Sequence, residues 1–189
     1  MGEYTTTVYN PGQLEPNTTY YWSVAERNFF GTTTNGTVWS FATSPFVGFG
    51  TGLFGYYFDN ADLTNLVLAR TDPSVDFDWT MGSPDPSVSP DTFSVRWVGY
   101  VQPQYSEIYS FFTTTDDGAR LWVGGRLLVD AWVDQGPVEH FGNISLTAFQ
   151  KYDLTFEYYE NYGSALAQLS WSSPSQAKQV IPSSQLYPL

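Results

Sequence analysis

The sequence predicts an all-β chain built from short antiparallel strands, and three observations predict it. No window of about eleven residues keeps the apolar period of an amphipathic helix. Short runs of alternating or continuous apolar residues recur instead, broken by Gly, Pro, Asn and Asp. Aromatic residues, which suit a pleated and half-buried surface, make up 19% of the chain.

Taken in order, TYYWSVAE (19–26) and TVWSFAT (37–43) read as the first strands. FDNADLTNLVLART (58–71) is the best candidate for a helical turn. FSVRWVGYV (93–101), YSFFTTT (109–115), RLWVGG (120–125) and RLLVDAWV (126–133) follow as strands. NISLTA (143–148), YDLTFEYYE (152–160) and ALAQLSWSS (165–173) complete the set. Gly124-Gly125 sits where a tight two-residue hairpin turn would, because two glycines accept positive φ without strain. Asp117-Gly118 is also a turn dipeptide, and Gln150-Lys151 could close a further hairpin.

Small, turn-forming residues in FATSPFVGFGTG (41–52) divide the chain, giving expected domains 1–45 and 46–189. The first resembles the C-terminal half of a fibronectin type III module. LEPNTTYYW (14–22) and the closing WSFAT (39–43) carry that resemblance. A full module needs about 90–100 residues and seven strands, so an incomplete β segment is expected here. The chain reads as a piece of a longer polypeptide.

Charge and composition exclude several functions. Seven Lys plus Arg against 19 Asp plus Glu give a net charge of -12. Nucleic acid and anionic membranes both call for a basic footprint, so neither is an expected partner. Hard cations, neutral ligands and plain solubility all suit the acidity. With no cysteine and one histidine, His140, the chain lacks disulfides, thiolate metal sites and multi-histidine zinc sites. No stretch approaches the roughly 20 apolar residues that span a bilayer, and the N-terminus lacks a signal peptide's basic-then-apolar order.

From Gly52 to Leu189 the sequence resembles the PA14 domain family. The motifs are GLFGYYF (52–58), RTDPSVDFDW (70–79), FSVRWVGYVQP (93–103), YSFFTTTDDGARLWVGGRLLVDAW (109–132) and LTFEYYENYGSALAQLSW (154–171). The resemblance implies a β-sandwich of two antiparallel sheets. In lectin-like members, two consecutive aspartates joined by a cis peptide hold one Ca²⁺, which in turn binds sugar hydroxyls. Asp116 and Asp117 occupy that position.

Two carboxylates cannot fill a calcium shell of about 6–8 oxygens at about 2.3–2.6 Å. The loop 160–165, ENYGSA, is the expected second contributor. By the same resemblance, the backbone carbonyls of Gly163 and Ala165 and the side chain of either Asn161 or Glu160 join the aspartates. A shell with positions left to water can exchange them for a vicinal diol. Trp132, Phe141 and Tyr162 are candidates to face the sugar ring, and Asp134 and Gln135 could touch it. The bland alternative makes Asp117-Gly118 a turn, with Asp116 accepting backbone N–H groups.

Other features read more plainly. Arg96 and Arg120 stand within strands among aromatics, where pairing with buried carboxylates or stacking on rings is expected. Asp72, Asp76 and Asp78 lack the glycine and glutamate that an EF-hand loop requires. Asn17, Asn35 and Asn143 head glycosylation triplets of a kind that also arises by chance. Glycosidase chemistry needs two carboxylates about 5–9 Å apart, and no such pair stands out beyond the adjacent aspartates. The expected function is a non-catalytic, calcium-dependent carbohydrate-binding module. It would belong to a secreted or cell-surface protein, a bacterial adhesin being the leading parent. An accessory domain of a glycoside hydrolase and a purely structural or protein-binding module are the alternatives.

Overall fold

The computed structural model describes residues 9–12, 14, 18–43 and 48–189. Residues 15–17, with Asn17, and the expected boundary at 45/46 lie outside that set. The chain divides into two compact units, Met1–Val47 and Gly48–Leu189. Among the described residues no helix is long and apolar enough to cross a membrane.

The described part of the first unit is a hairpin of β1 (Thr19–Arg27) and β2 (Thr33–Ala42). Cross-strand ring pairs line one face, with Tyr20 at 5.7 Å from Phe41 and Trp22 at 4.7 Å from Trp39. Such pairs are the unit of stabilisation in a sheet. The Asn28 side chain holds the turn by accepting the N–H groups of Phe30 and Thr32.

The second unit stacks two antiparallel sheets. β7 (Glu107–Asp116) lies between β10 (Val138–Leu146) and β12 (Ala165–Ser173). β5 (Asp76–Thr80) and β13 (Gln176–Val180) pair in succession along the other edge of β12. The larger sheet runs β4 (Leu66–Asp72), β3 (Leu53–Phe58), β6 (Phe93–Val101), β11 (Tyr152–Glu160), β8 (Gly118–Val123) and β9 (Arg126–Ala131). The short β14 (Leu186–Pro188) adds to β6 beyond β3. One 3₁₀ turn, Ser183–Gln185, precedes β14.

Alternation along the strands sorts the side chains. In β11, Leu154, Phe156, Tyr158 and Glu160 point inward, and in β6 Phe93, Val95, Trp97 and Val101 do the same. Rings interlock across the layers: Phe77 of β5 stacks on Trp97 of β6 at 5.9 Å, and Trp79 meets both Phe93 and Tyr158. The fully buried members, Phe93, Trp97 and Tyr158, each contribute about 1.5–3 kcal/mol by leaving water, while Phe77 and Trp79 are only partly buried. Asp72 is buried among them, accepting from Trp97 Nε1 at 2.7 Å, from Arg70 Nε at 2.7 Å and from the Tyr57 hydroxyl. On the outer face Arg96 and Arg120 both pair with Glu157, and Arg120 lies over the Trp132 ring at 4.1 Å.

Gly124 and Gly125 form the expected hairpin turn between β8 and β9, with φ of 57° and 71°. Two expectations are corrected. Residues 58–71 contain no helical turn: the Asn60 side chain accepts the N–H groups of Thr64 and Asn65, bending the chain so that it returns as β4 against β3. A short polar side chain competing with the backbone in this way disfavours helix. Gln150-Lys151 closes no hairpin, because β10 belongs to the smaller sheet and β11 to the larger one. The chain changes layers there.

Candidate functional site

Asp116 ends β7 in the smaller sheet, and Gly118 begins β8 in the larger sheet. Asp117 therefore joins the two layers and does not close a hairpin, which corrects the simple turn reading. The Asp116–Asp117 peptide is cis. Register brings the other expected loop to the same end: Leu166 of β12 stands opposite Asp116, and Tyr159 of β11 stands opposite Gly118. The β11–β12 turn must therefore emerge beside the aspartates.

Because Glu160 continues the inward-facing series of β11, its carboxylate points between the sheets towards the aspartates. Asp116, Asp117 and Glu160 each offer an oxygen, and these oxygens lie within 4.8 Å of one another. The three residues are 8%, 6% and 0% exposed, so their repulsion is poorly screened. Burial and then the neighbouring Asp117 raise the Asp116 carboxyl above its usual range. Glu160 is pushed up to about 8 by burial first, then by Asp117 and Asp116.

Tyr158 forms the floor. Its hydroxyl donates to the Asp116 carbonyl at 2.5 Å and lies 3.4 Å from Glu160 Oε2. Burial, and next the charge of Glu160, keep that hydroxyl protonated. Asp117 is gripped from two sides. The Gln135 N–H donates to Oδ1 at 2.8 Å and the Asn161 N–H donates to Oδ2 at 2.9 Å. The Gln135 side-chain amide adds a bond to the Asp117 carbonyl at 3.2 Å, and its oxygen faces His140 Nε2 at 3.2 Å.

Of the two side chains left open in the 160–165 loop, Glu160 is the one brought to the aspartates. The Asn161 amide turns instead to Asp134 Oδ2 at 3.0 Å, while Asp134 Oδ1 accepts the Tyr159 hydroxyl at 2.7 Å. Asp134 thus has both oxygens occupied in holding its neighbours. Gly163 has φ 108°, a conformation that glycine adopts readily, and Ala165 begins β12 fully buried. Tyr162, at the tip of the loop, is 73% exposed.

Trp132 is half-buried, its ring engaged by Tyr159 at 4.7 Å and by Arg120. Phe141 is not brought to the cluster. It lies on the outer face of the smaller sheet against Phe112, four residues from Asp116 along β7 or about 13 Å at the usual rise. Sequence reasoning missed Tyr158, Tyr159 and Asp91. The first was available in the i, i+2 spacing from Glu160. Asp91 carried no local signal.

The donor set suits a hard cation. Ligands of one Ca²⁺ at about 2.4 Å can be no more than about 4.8 Å apart, and the three carboxylate oxygens meet that limit. Glu160 Oε1 is buried with no hydrogen-bond partner. An unsatisfied buried carboxylate oxygen is costly unless a cation or donor reaches it.

A β-sandwich with an all-oxygen acidic cluster at one end is the class of protein these observations define. The family model of the PA14 domain matches residues 50–185, and the chain belongs to that family. Over 141 residues it is 54% identical to the anti-sigma-I factor RsgI3 of Acetivibrio thermocellus, a match covering 75% of this chain and 22% of that protein. A solved anti-sigma factor domain-containing protein matches at 53% identity and a TM-score of 0.74, over 75% of this chain and 49% of that one. The chain thus spans about a fifth of the first relative and about half of the second. A PA14 sugar-binding domain from an RTX adhesin shares the fold at 16% identity and a TM-score of 0.60, over 73% of this chain and 98% of that chain. None of these three is named as an enzyme.

Proposed function

We propose that the second unit is a non-catalytic, calcium-dependent carbohydrate-binding module. One observation carries the reading: three buried carboxylates at the ends of β7 and β11 and the β7–β8 junction converge within the span of one ion, and one of their oxygens is otherwise unsatisfied. Asp116, Asp117 and Glu160 would hold the Ca²⁺, with the carbonyls of Gly163 and Ala165 as further oxygens. The bound ion supplies fixed positions for two adjacent hydroxyls of a sugar ring. The residues around it supply order. Gln135 and the Asn161 N–H hold Asp117, Tyr158 holds Asp116, and Asp134 holds Asn161. Tyr162 offers an exposed aromatic face to the C–H surface of a sugar. Trp132 stiffens the wall beneath.

The fold alone does not choose this function, since one architecture carries many. The name of the adhesin neighbour supports a sugar as the ligand. The relatives that are about half identical over the matched segment bear the anti-sigma factor name, which favours an anti-sigma factor over an adhesin as the parent. Sugar binding is the reason to place this unit at the cell surface, working with neighbouring domains of its parent. Calorimetric titration of Ca²⁺ into chelator-treated protein is expected to show one saturable site, lost in Asp117→Ala. A glycan array read with Ca²⁺ and then with EDTA is expected to show spots that vanish with the chelator. Absence of calcium heat ends the metal reading, and spots indifferent to EDTA place the sugar elsewhere.

A further inference from the structure

The β6–β11 ladder does not stop where the strands do. Its last strand pair is Glu160 opposite Phe93. One step further the Thr92 N–H donates to the Asn161 carbonyl at 2.9 Å. A further step on, no backbone acceptor serves Gly163, and a side chain takes over: the Gly163 N–H donates to Asp91 Oδ1 at 3.2 Å. The segment 161–163 is therefore stitched to 91–92 by one backbone bond and one side-chain bond. In a trans peptide the N–H and the preceding C=O point in opposite directions. Fixing the Gly163 N–H thus fixes the direction of the Tyr162 carbonyl and the set of the whole turn. Glycine at φ 108° has broad backbone freedom, so this turn needs an external tether.

We infer that Asp91 is a positioning residue for the 160–165 loop, acting through its hydrogen bond to the Gly163 N–H and not as a ligand. The metal consequence rests on the calcium reading above; the tether itself does not. Asp91 is partly buried and stands close enough to raise Glu160 further, which adds field to geometry. Two substitutions separate these contributions. Asp91→Ala removes the acceptor and the charge. Asp91→Asn keeps an acceptor oxygen and removes only the charge.

Amide hydrogen exchange on the metal-free protein tests the tether directly. Asp91→Ala is expected to speed exchange at Gly163 and Asn161 at least tenfold while leaving the β6 and β11 amides protected, and Asp91→Asn is expected to restore most of that protection. Calcium titration follows on the same variants, with affinity at 0.15 M salt weakened at least tenfold by Asp91→Ala and within about threefold of native for Asp91→Asn. Unchanged exchange in Asp91→Ala overturns the inference, as does an Asp91→Asn that exchanges as fast as Asp91→Ala. Equal loss of calcium affinity in both variants also overturns it, by showing that the charge does the work. If the native protein takes up no calcium, the site reading fails while the exchange data still decide the tether.

Discussion

The Tyr158 hydroxyl donates to the Asp116 backbone carbonyl at 2.5 Å, and this bond joins the larger sheet to the smaller one beneath the acidic cluster. Tyr158→Phe keeps the ring in the core and leaves that buried carbonyl without its partner. The variant is expected to lose about 1–3 kcal/mol in urea denaturation and to bind Ca²⁺ more weakly in the same titration. A variant as stable as the native protein, with unaltered calcium affinity, removes Tyr158 from the site.

Glu160, with Asp116 acting in the same direction, gives the metal-free domain a pH-dependent stability. Its folded value of about 8 lies above its ordinary 4.5, so the folded state holds the proton more tightly than the unfolded chain does. Its contribution is fully present below about pH 4.5 and is lost as pH rises towards 8. Stability in EDTA is therefore expected to fall by a few kcal/mol across that window. Glu160→Gln should flatten the fall. Thermal melts from pH 5 to pH 8 read both.

Calcium should reverse that trend. An ion that binds only the folded state adds about 2.7 kcal/mol at a hundred times its dissociation constant. With saturating Ca²⁺ the melting temperature at pH 8 should rise well above that in EDTA, and Asp116→Asn should shrink the difference. Equal melts with and without the ion would count against three carboxylates sharing it.

Gly118 follows the aspartates for a steric reason. A Cβ there would lie 2.2 Å from the Tyr159 ring, which itself holds Asp134. Gly118→Ala is expected to cost about 1–3 kcal/mol by overpacking and to weaken calcium binding through displacement of the Asp134–Asn161 contact. Denaturation paired with titration reads both effects.

Much of the fold was legible because alternation is a local property. The strands at 93–101 and 152–160 and the glycine turn at 124–125 follow from local pattern alone. The layer changes were not legible. Gln150-Lys151 and Asp117-Gly118 both look like hairpin turns, and only the partners of the flanking strands, distant in sequence, show that each passes between sheets. The site divides the same way. The Asp pair and the 160–165 loop were marked by unusual composition, and Glu160 emerged over Asn161 once the inward face of β11 was known. Phe141 was misplaced because nearness in sequence to the 132–137 loop says nothing about which face of β10 it occupies. Asp91 became visible only through a bond to Gly163, seventy-two positions away.

The two layers of the sandwich are spliced at Asp117 by a single residue, so a pull that separates β7 from β8 passes straight through the acidic cluster. An ion seated there would act as a rivet, tying the end of β7 to the start of β8 and to Glu160 of β11.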